Sequence, residues 1–487
     1  MRRVLERDIA SELTSDAAKR AAHILLGSFD ELLKREITTP AVHAAAIPRG
    51  IQAALNLASR LTVAAVPVDP SALECLHRLH RDHTTRLAPS QLQEDCAALD
   101  SVIESMMQPV LTKVMNGNDN ARALAELLRE TAEWKQSLAI QQLIPTPPDT
   151  ADTGIQPLTR ERLQDFVKAC LPDDPNIKIL DFLAVSGGMS KQTFRFKLQH
   201  GNGAVEQLIV RKAPPVPFLD VSCFYLHREF DFVRCLFQQG YPVPEPLWLA
   251  RSFPGVGGDF YVMRQITGEN SGGLFSTVDI PETILLEMAE ALARLHRIPL
   301  EAFHPFIEKH GNLEILRENA GESTRRYLLN LITSWRQVTR GTDCGEVFIL
   351  TWALANVPPN AGRVVPLHGD FTPHNCLWRD EHLVAVLDWE CGDFGDPAID
   401  LAYVKSHIAS RMSWEKFVSH YETHLGRTVD TSRLAYYSVL LDIRSWVSCN
   451  VVSGRIDARQ TDDVVALNID YQYAPMYINA CIDRTRQ

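Results

Sequence analysis

A chain of 487 residues is too long for one compact core, so two or three domains are expected. Its 45% hydrophobic and 22% charged content excludes a disordered chain, and a net charge of −11 excludes a general nucleic-acid binder, which needs a basic face. No apolar run approaches the roughly 20 residues of a membrane span. The charged start Met1-Arg2-Arg3-Val4-Leu5-Glu6 does not read as a secretory leader. Ten scattered cysteines without paired spacing read as reduced thiols of a cytoplasmic protein with no membrane partner.

Residues 1–142 carry helical patterns and almost no strand character. Ala121, Leu124, Ala125 and Leu128 repeat at three and four, behind an Asn116-Gly117-Asn118-Asp119 breaker. An all-α N-terminal domain is expected there, either as a regulatory module, as part of an acceptor site or as the contact of a homodimer. The stretch around Pro145, Pro147 and Pro148 cannot continue a helix and reads as a linker over 143–157. Strands are then expected at 177–185 and 193–199, joined by a Gly-Gly turn, and at 207–212 and 259–265, with a helix over 225–237. Beyond Gly268 the pattern turns helical, at 284–297 and 324–337. A strand-rich island at 364–389 interrupts it before helices fill the remainder. Residues 158–267 thus read as a small β-rich lobe and 268–487 as a larger helical one.

The chemistry concentrates in His368-Gly369-Asp370-Phe371-Thr372-Pro373-His374-Asn375 and Leu387-Asp388-Trp389-Glu390. Phosphoryl transfer from a nucleotide needs a carboxylate for the attacking hydroxyl and magnesium to offset phosphate charge. Asp370 and Asn375, five apart on one loop, can serve as base and metal ligand. Asp388, at the end of the apolar run 383–387, can bring a second oxygen to Mg2+. Asp396 before Pro397 can cap a helix, with Asp400 one turn inside it and able to hydrogen-bond the catalytic loop. Both read as supporting residues, and His368 as a loop anchor.

These two segments resemble the catalytic core of the aminoglycoside phosphotransferase and choline kinase-like family. The likeness is strongest to the kinase-like domain fused to some acyl-CoA dehydrogenases, and it spans about residues 175–455. It implies an α+β, bilobal, protein kinase-like fold, with Asp370 as catalytic base and Asn375 and Asp388 on Mg2+. ATP or GTP is the implied co-substrate. The run Gly187-Gly188-Met189-Ser190-Lys191 then stands for the phosphate loop, with Lys191 where the family usually has Asn. Arg211 stands where protein kinases grip phosphates with a Lys, and Glu229 is its expected partner. Lys212, the other cation of that strand, points to the opposite face by the period-two rule. Backbone groups of Arg264 and Ile266 are expected to meet the nucleobase.

The expected activity is phosphorylation of a small-molecule hydroxyl, with a hydroxyacyl-CoA as one acceptor class and an aminoglycoside or amino alcohol as the alternative. A catalytically silent nucleotide-binding module is the rival of another class. Trp335, Trp352, Tyr436, Tyr437, Asp442 and Trp446 are candidate acceptor contacts or core residues. His77, His80 and His83, near Cys75 and Asp82, read as a solvated helix face rather than a metal site, because arginines interleave them.

Overall fold

A computed structural model describes residues 43–83, 89–117, 120–136, 158–185, 191–213, 225–251, 253–254, 256–270, 280–311, 313–338, 344–359, 362–457 and 473–486. The expected linker at 143–157 lies outside them, as do Gly187, Gly188 and Ser190 of the glycine turn. Two compact units divide the chain. One takes in Met1–Thr150, Arg325–Val357 and Val439–Gln487, the other Ala151–Thr324 and Pro358–Ser438.

The first unit is helical among its described residues. Asp69 caps the Pro70–Asp82 helix by accepting from the Ser71 amide, a short polar side chain meeting an orphan N–H. The Pro89–Met115 helix packs against Pro70–Asp82 and against Cys344–Ala355. Trp134 lies across Gly50 and donates its indole N–H to the Ala46 carbonyl at 2.9 Å. A Cβ on Gly50 would stand 2.3 Å from that ring, so only glycine admits the contact. Further along, Arg129 reaches the carbonyl of Thr485 at 3.1 Å, and Gln136 donates to Asp483 at 2.7 Å. This unit therefore joins helices from the 1–142 region to two later segments that the sequence reading placed in the 268–487 lobe. Periodicity reports which face of a helix is apolar; it does not say which distant helix covers that face.

The second unit opens with an antiparallel sheet in the order β1-β2-β3-β5-β4, where β1 is Lys178–Val185, β2 Gln192–Gln199, β3 Val205–Lys212, β4 Pro246–Ala250 and β5 Phe260–Arg264. Strand β4 and the Arg160–Cys170 helix have no counterpart in the sequence reading. Alternation along the strands sorts two faces. Phe196, Leu198, Leu208, Val210, Phe260 and Val262 form a core against Leu163, Phe166 and Val167 of the Arg160–Cys170 helix. Thr193, Ile209, Arg211, Tyr261 and Met263 take the other face and line a cavity. Lys212 is buried on the core side, away from Arg211, and its ammonium donates to the Ala213 carbonyl.

Below the sheet in sequence, the Glu282–Arg297 helix packs along Trp414–Leu425. Two short antiparallel pairs complete the unit: β6 (Val365–Leu367) with β9 (Asp393–Gly395), and β7 (Cys376–Arg379) with β8 (His382–Val386). The loops that leave β6 and β8 carry the two chemical motifs. Among the described residues no helix is long and apolar enough to cross a membrane.

Candidate active site

The loop after β6 is held from beneath by Asp400. This carboxylate is fully buried and accepts the amides of His368 (2.9 Å) and Gly369 (2.7 Å). His296 donates to it from Nε2 at 3.1 Å, and Nδ1 of the same ring meets the Tyr421 hydroxyl at 2.7 Å. Burial alone would raise the pKa of Asp400, yet the bond and charge of His296 and the His368 amide bring it below the usual carboxylate range. Gly369 has φ +76°, and a Cβ there would meet the Cys391 carbonyl at 2.5 Å. Glycine is required on both counts.

His368 ties the two motifs together. Its Nε2 meets the Leu387 carbonyl at 2.8 Å, while Nδ1 accepts the Asp370 amide at 3.1 Å. One neutral tautomer, protonated at Nε2, satisfies both contacts. Asn375 donates from Nδ2 to the Asp370 carbonyl (2.9 Å) and to its Oδ2 (3.0 Å), fixing the carboxylate orientation. The Leu387 amide donates to the Asn375 carbonyl at 2.7 Å, so both loops are stitched along their backbones.

Asp388 follows β8 in a left-handed conformation, φ 63°, which turns its carboxylate out of the strand line. Arg211 on β3 donates to Asp388 Oδ1 at 2.7 Å, and its Nε lies 3.3 Å from Glu229 Oε1. Lys191 bridges Glu229 at 2.9 Å and Glu390 at 2.5 Å. The Tyr261 hydroxyl donates at 2.9 Å to Glu229 Oε1, the oxygen that also faces Arg211. Glu229 thus sits in the Leu226–Gln238 helix as a buried anchor for two cations. Burial would raise Asp388, but Arg211 and Lys191 outweigh it and hold the carboxyl at about 2. Glu390 moves the other way, pushed up by burial that Lys191 only partly offsets.

A cavity of about 620 Å³ opens above this cluster, lined by Val185, Ile209, Met263, Ile266, Leu377 and Leu387, with Arg211, Glu229 and Asp388 at its charged end. Apolar walls with a few convergent polar groups suit a flat heterocycle carrying an anionic tail. Ile266 and Arg264 both border it. The Arg264 N–H donates to the Glu245 carbonyl at 3.0 Å. The Arg264 guanidinium is engaged by Glu206 and Glu245.

A family model described as "Phosphotransferase enzyme family" matches residues 181–437, just over half of the chain. The chain belongs to the phosphotransferase enzyme family. Among curated proteins it is similar to acyl-CoA dehydrogenase family member 11 of Gallus gallus, 29% identical over 255 residues, covering 50% of this chain and 30% of the relative. Family member 10 of Mus musculus is 27% identical over 236 residues, covering 46% of this chain and 20% of the relative. The chain therefore spans less than a third of the length of these relatives. A crystal structure from Ralstonia eutropha, provisionally named an aminoglycoside phosphotransferase, superposes with a TM-score of 0.51 at 17% identity, covering 66% of this chain and 98% of that one. That likeness establishes the kinase-like fold.

In this phosphotransferase the donors around Asp388 fit a hard cation. Asn375 spends its Nδ2 on Asp370, so its oxygen is turned away from that carboxylate, and Asp388 has a second oxygen beyond the one Arg211 holds. An all-oxygen set of this kind is what magnesium takes. Asp396, a supporting residue from the sequence, caps its helix through Ala398 N and also binds Arg433 (2.6 Å) and Tyr437 (2.9 Å). Four of the candidate acceptor contacts are core residues instead: Trp335, Tyr436, Tyr437 and Trp446 are buried, and Trp335 and Trp446 pack at 6.0 Å. Asp442 pairs with Arg484.

Sequence reasoning did not single out Glu390, Tyr261, His296 or Tyr421 as site residues. Glu390 stood next to Trp389 in the second motif, and its signal was a carboxylate two positions after Asp388. Tyr261 and Tyr421 gave none, since an aromatic at an apolar position reads as packing.

Proposed function

We propose that this phosphotransferase moves the γ-phosphoryl group of ATP or GTP to a hydroxyl of a small molecule, with a hydroxyacyl-CoA as the acceptor class. The observation carrying the reading is Asp370, clamped by Asn375 on a loop that His368 ties to Leu387, the residue before Asp388, the acid at the charged end of the cavity. Asp370 orients and deprotonates the attacking hydroxyl. Arg211 and Lys191, both anchored on Glu229, neutralise the phosphates, and the apolar walls hold the base. Asp388 and Asn375 would hold magnesium, which would supply charge neutralisation at the transferring group.

The acyl-CoA class is favoured because the curated relatives matched here are named acyl-CoA dehydrogenase family members. The amino-alcohol reading draws on the provisional name of the Ralstonia eutropha structure alone. A silent module is disfavoured by the mutual orientation of Asp370 and Asn375, which packing alone does not require. The test is nucleotide consumption with each nucleotide against 3- and 4-hydroxyacyl-CoA esters, choline, ethanolamine and aminoglycosides. Phosphorylated acyl-CoA, identified by mass, is the expected product. Turnover confined to the amino compounds would replace the acceptor class, and no turnover with any hydroxyl would favour the silent module.

A further inference from the structure

Two histidines one turn apart on the Trp414–Leu425 helix, His420 and His424, face Glu290 of the Glu282–Arg297 helix packed against it. One ligand atom from each of the three lies within 4.8 Å of the others. The His420 and His424 rings stand 4.4 Å apart, and His424 Nε2 is 3.6 Å from Glu290 Oε2. His424 Nδ1 bonds to the His420 carbonyl at 2.9 Å, so that nitrogen carries the proton and Nε2 presents its lone pair toward Glu290. Lys416, a nearby cation, is engaged by Glu282 of the facing helix.

We propose that Glu290, His420 and His424 form a binding site for a divalent transition ion of the zinc class, separate from the nucleotide site. Two imidazoles and a carboxylate make a borderline donor set that prefers zinc, cobalt or nickel over magnesium. Bonds of about 2.0–2.2 Å need the three side chains to close by roughly an ångström, which partly exposed side chains do by small rotations. The ion clips together the two helices whose inner faces supply His296 and Tyr421, the pair that holds Asp400 beneath the catalytic loop. Arg297 already fastens the same helices by donating to the His424 carbonyl at 3.3 Å. The clip therefore stiffens a contact that positions the loop while touching neither substrate.

The test is titration of the metal-free full-length protein with Co2+ in the presence of excess Mg2+, followed by visible absorption and by competition with a chelator of known affinity. Wild type should bind one more equivalent than His424→Ala or His420→Ala, with ligand-field bands of a low-coordinate cobalt site. Glu290→Gln should bind that equivalent at least tenfold more weakly. Zn2+ should raise the melting temperature of wild type and leave that of His424→Ala unmoved. Equal stoichiometry and equal zinc response in wild type and both alanine variants overturns the site. A His424→Gln variant, close in size and polarity, separates loss of a ligand from loss of fold: a native circular dichroism spectrum with the cobalt equivalent missing supports the proposal, and the equivalent retained in that folded variant overturns it.

Discussion

Arg211 Nη2 and Asp388 Oδ1 stand 2.7 Å apart, so the acid assigned to the metal is held by the cation assigned to the phosphates. Arg211 also faces Glu229 and Glu390, and Lys191 shares both. Two cations and three carboxylates thus hold one another at the charged end of the cavity.

Removing the acid of this pair should weaken binding of the magnesium nucleotide. Asp388→Asn keeps the shape and loses a charged oxygen, and affinity at limiting magnesium should fall by about tenfold or more. Calorimetric titration with and without magnesium checks this. Equal affinities in variant and wild type would take Asp388 out of the metal site.

The same residue makes a prediction about acid. Its folded pKa is depressed to about 2, so the unfolded chain binds a proton that the native one does not at intermediate pH. The stability it contributes is complete above the ordinary carboxylate range and is lost as pH falls through about 2. Between roughly pH 5 and pH 2 the wild-type melting temperature should fall more steeply than that of Asp388→Asn. Parallel curves would contradict the depressed value.

Asp370→Asn should retain nucleotide affinity while turnover drops by roughly a hundredfold or more, the scale of a lost general base. Wild-type turnover in that variant would reassign the base.

Asp400 offers a separation of structure from chemistry. It is fully buried and accepts from two loop amides and His296. Asp400→Ala leaves these donors without an acceptor and should cost about 3–5 kcal/mol in urea unfolding. Asp400→Asn, retaining one acceptor oxygen, should lose less stability yet lower turnover, because His368 and Gly369 are no longer both held. Gly369→Ala should cost at least about 1–2 kcal/mol for the left-handed backbone alone.

The loops bearing Asp370, Asn375 and Asp388 were picked out by residue types, spacing and family resemblance, and the structure brings the two loops together through His368 and the Asn375 backbone. Strands β1, β2, β3 and β5 were legible from alternation and Gly or Pro punctuation, while β4, five residues opening on a proline, was too short to register. Glu229 was named as the partner of Arg211, and Lys191 separately as part of the phosphate loop. That one carboxylate anchors two cations depends on a helix meeting a sheet, and sequence spacing carries no such distance. Tyr261 shows the same limit: its hydroxyl to Glu229 is visible only once β5 lies beside β3.

Arg129 and Gln136 find their partners at Thr485 and Asp483, some 350 residues downstream. During synthesis the early helices leave the ribosome long before those partners exist. For that interval the Arg129–Gln136 helix lacks the cover of Ala474–Arg484, which waits on late closure of a long loop, a slow step in which exposed surface invites aggregation. A nascent chain stalled before residue 474 should therefore hold chaperones on the Arg129–Gln136 helix and release them when the last segment emerges.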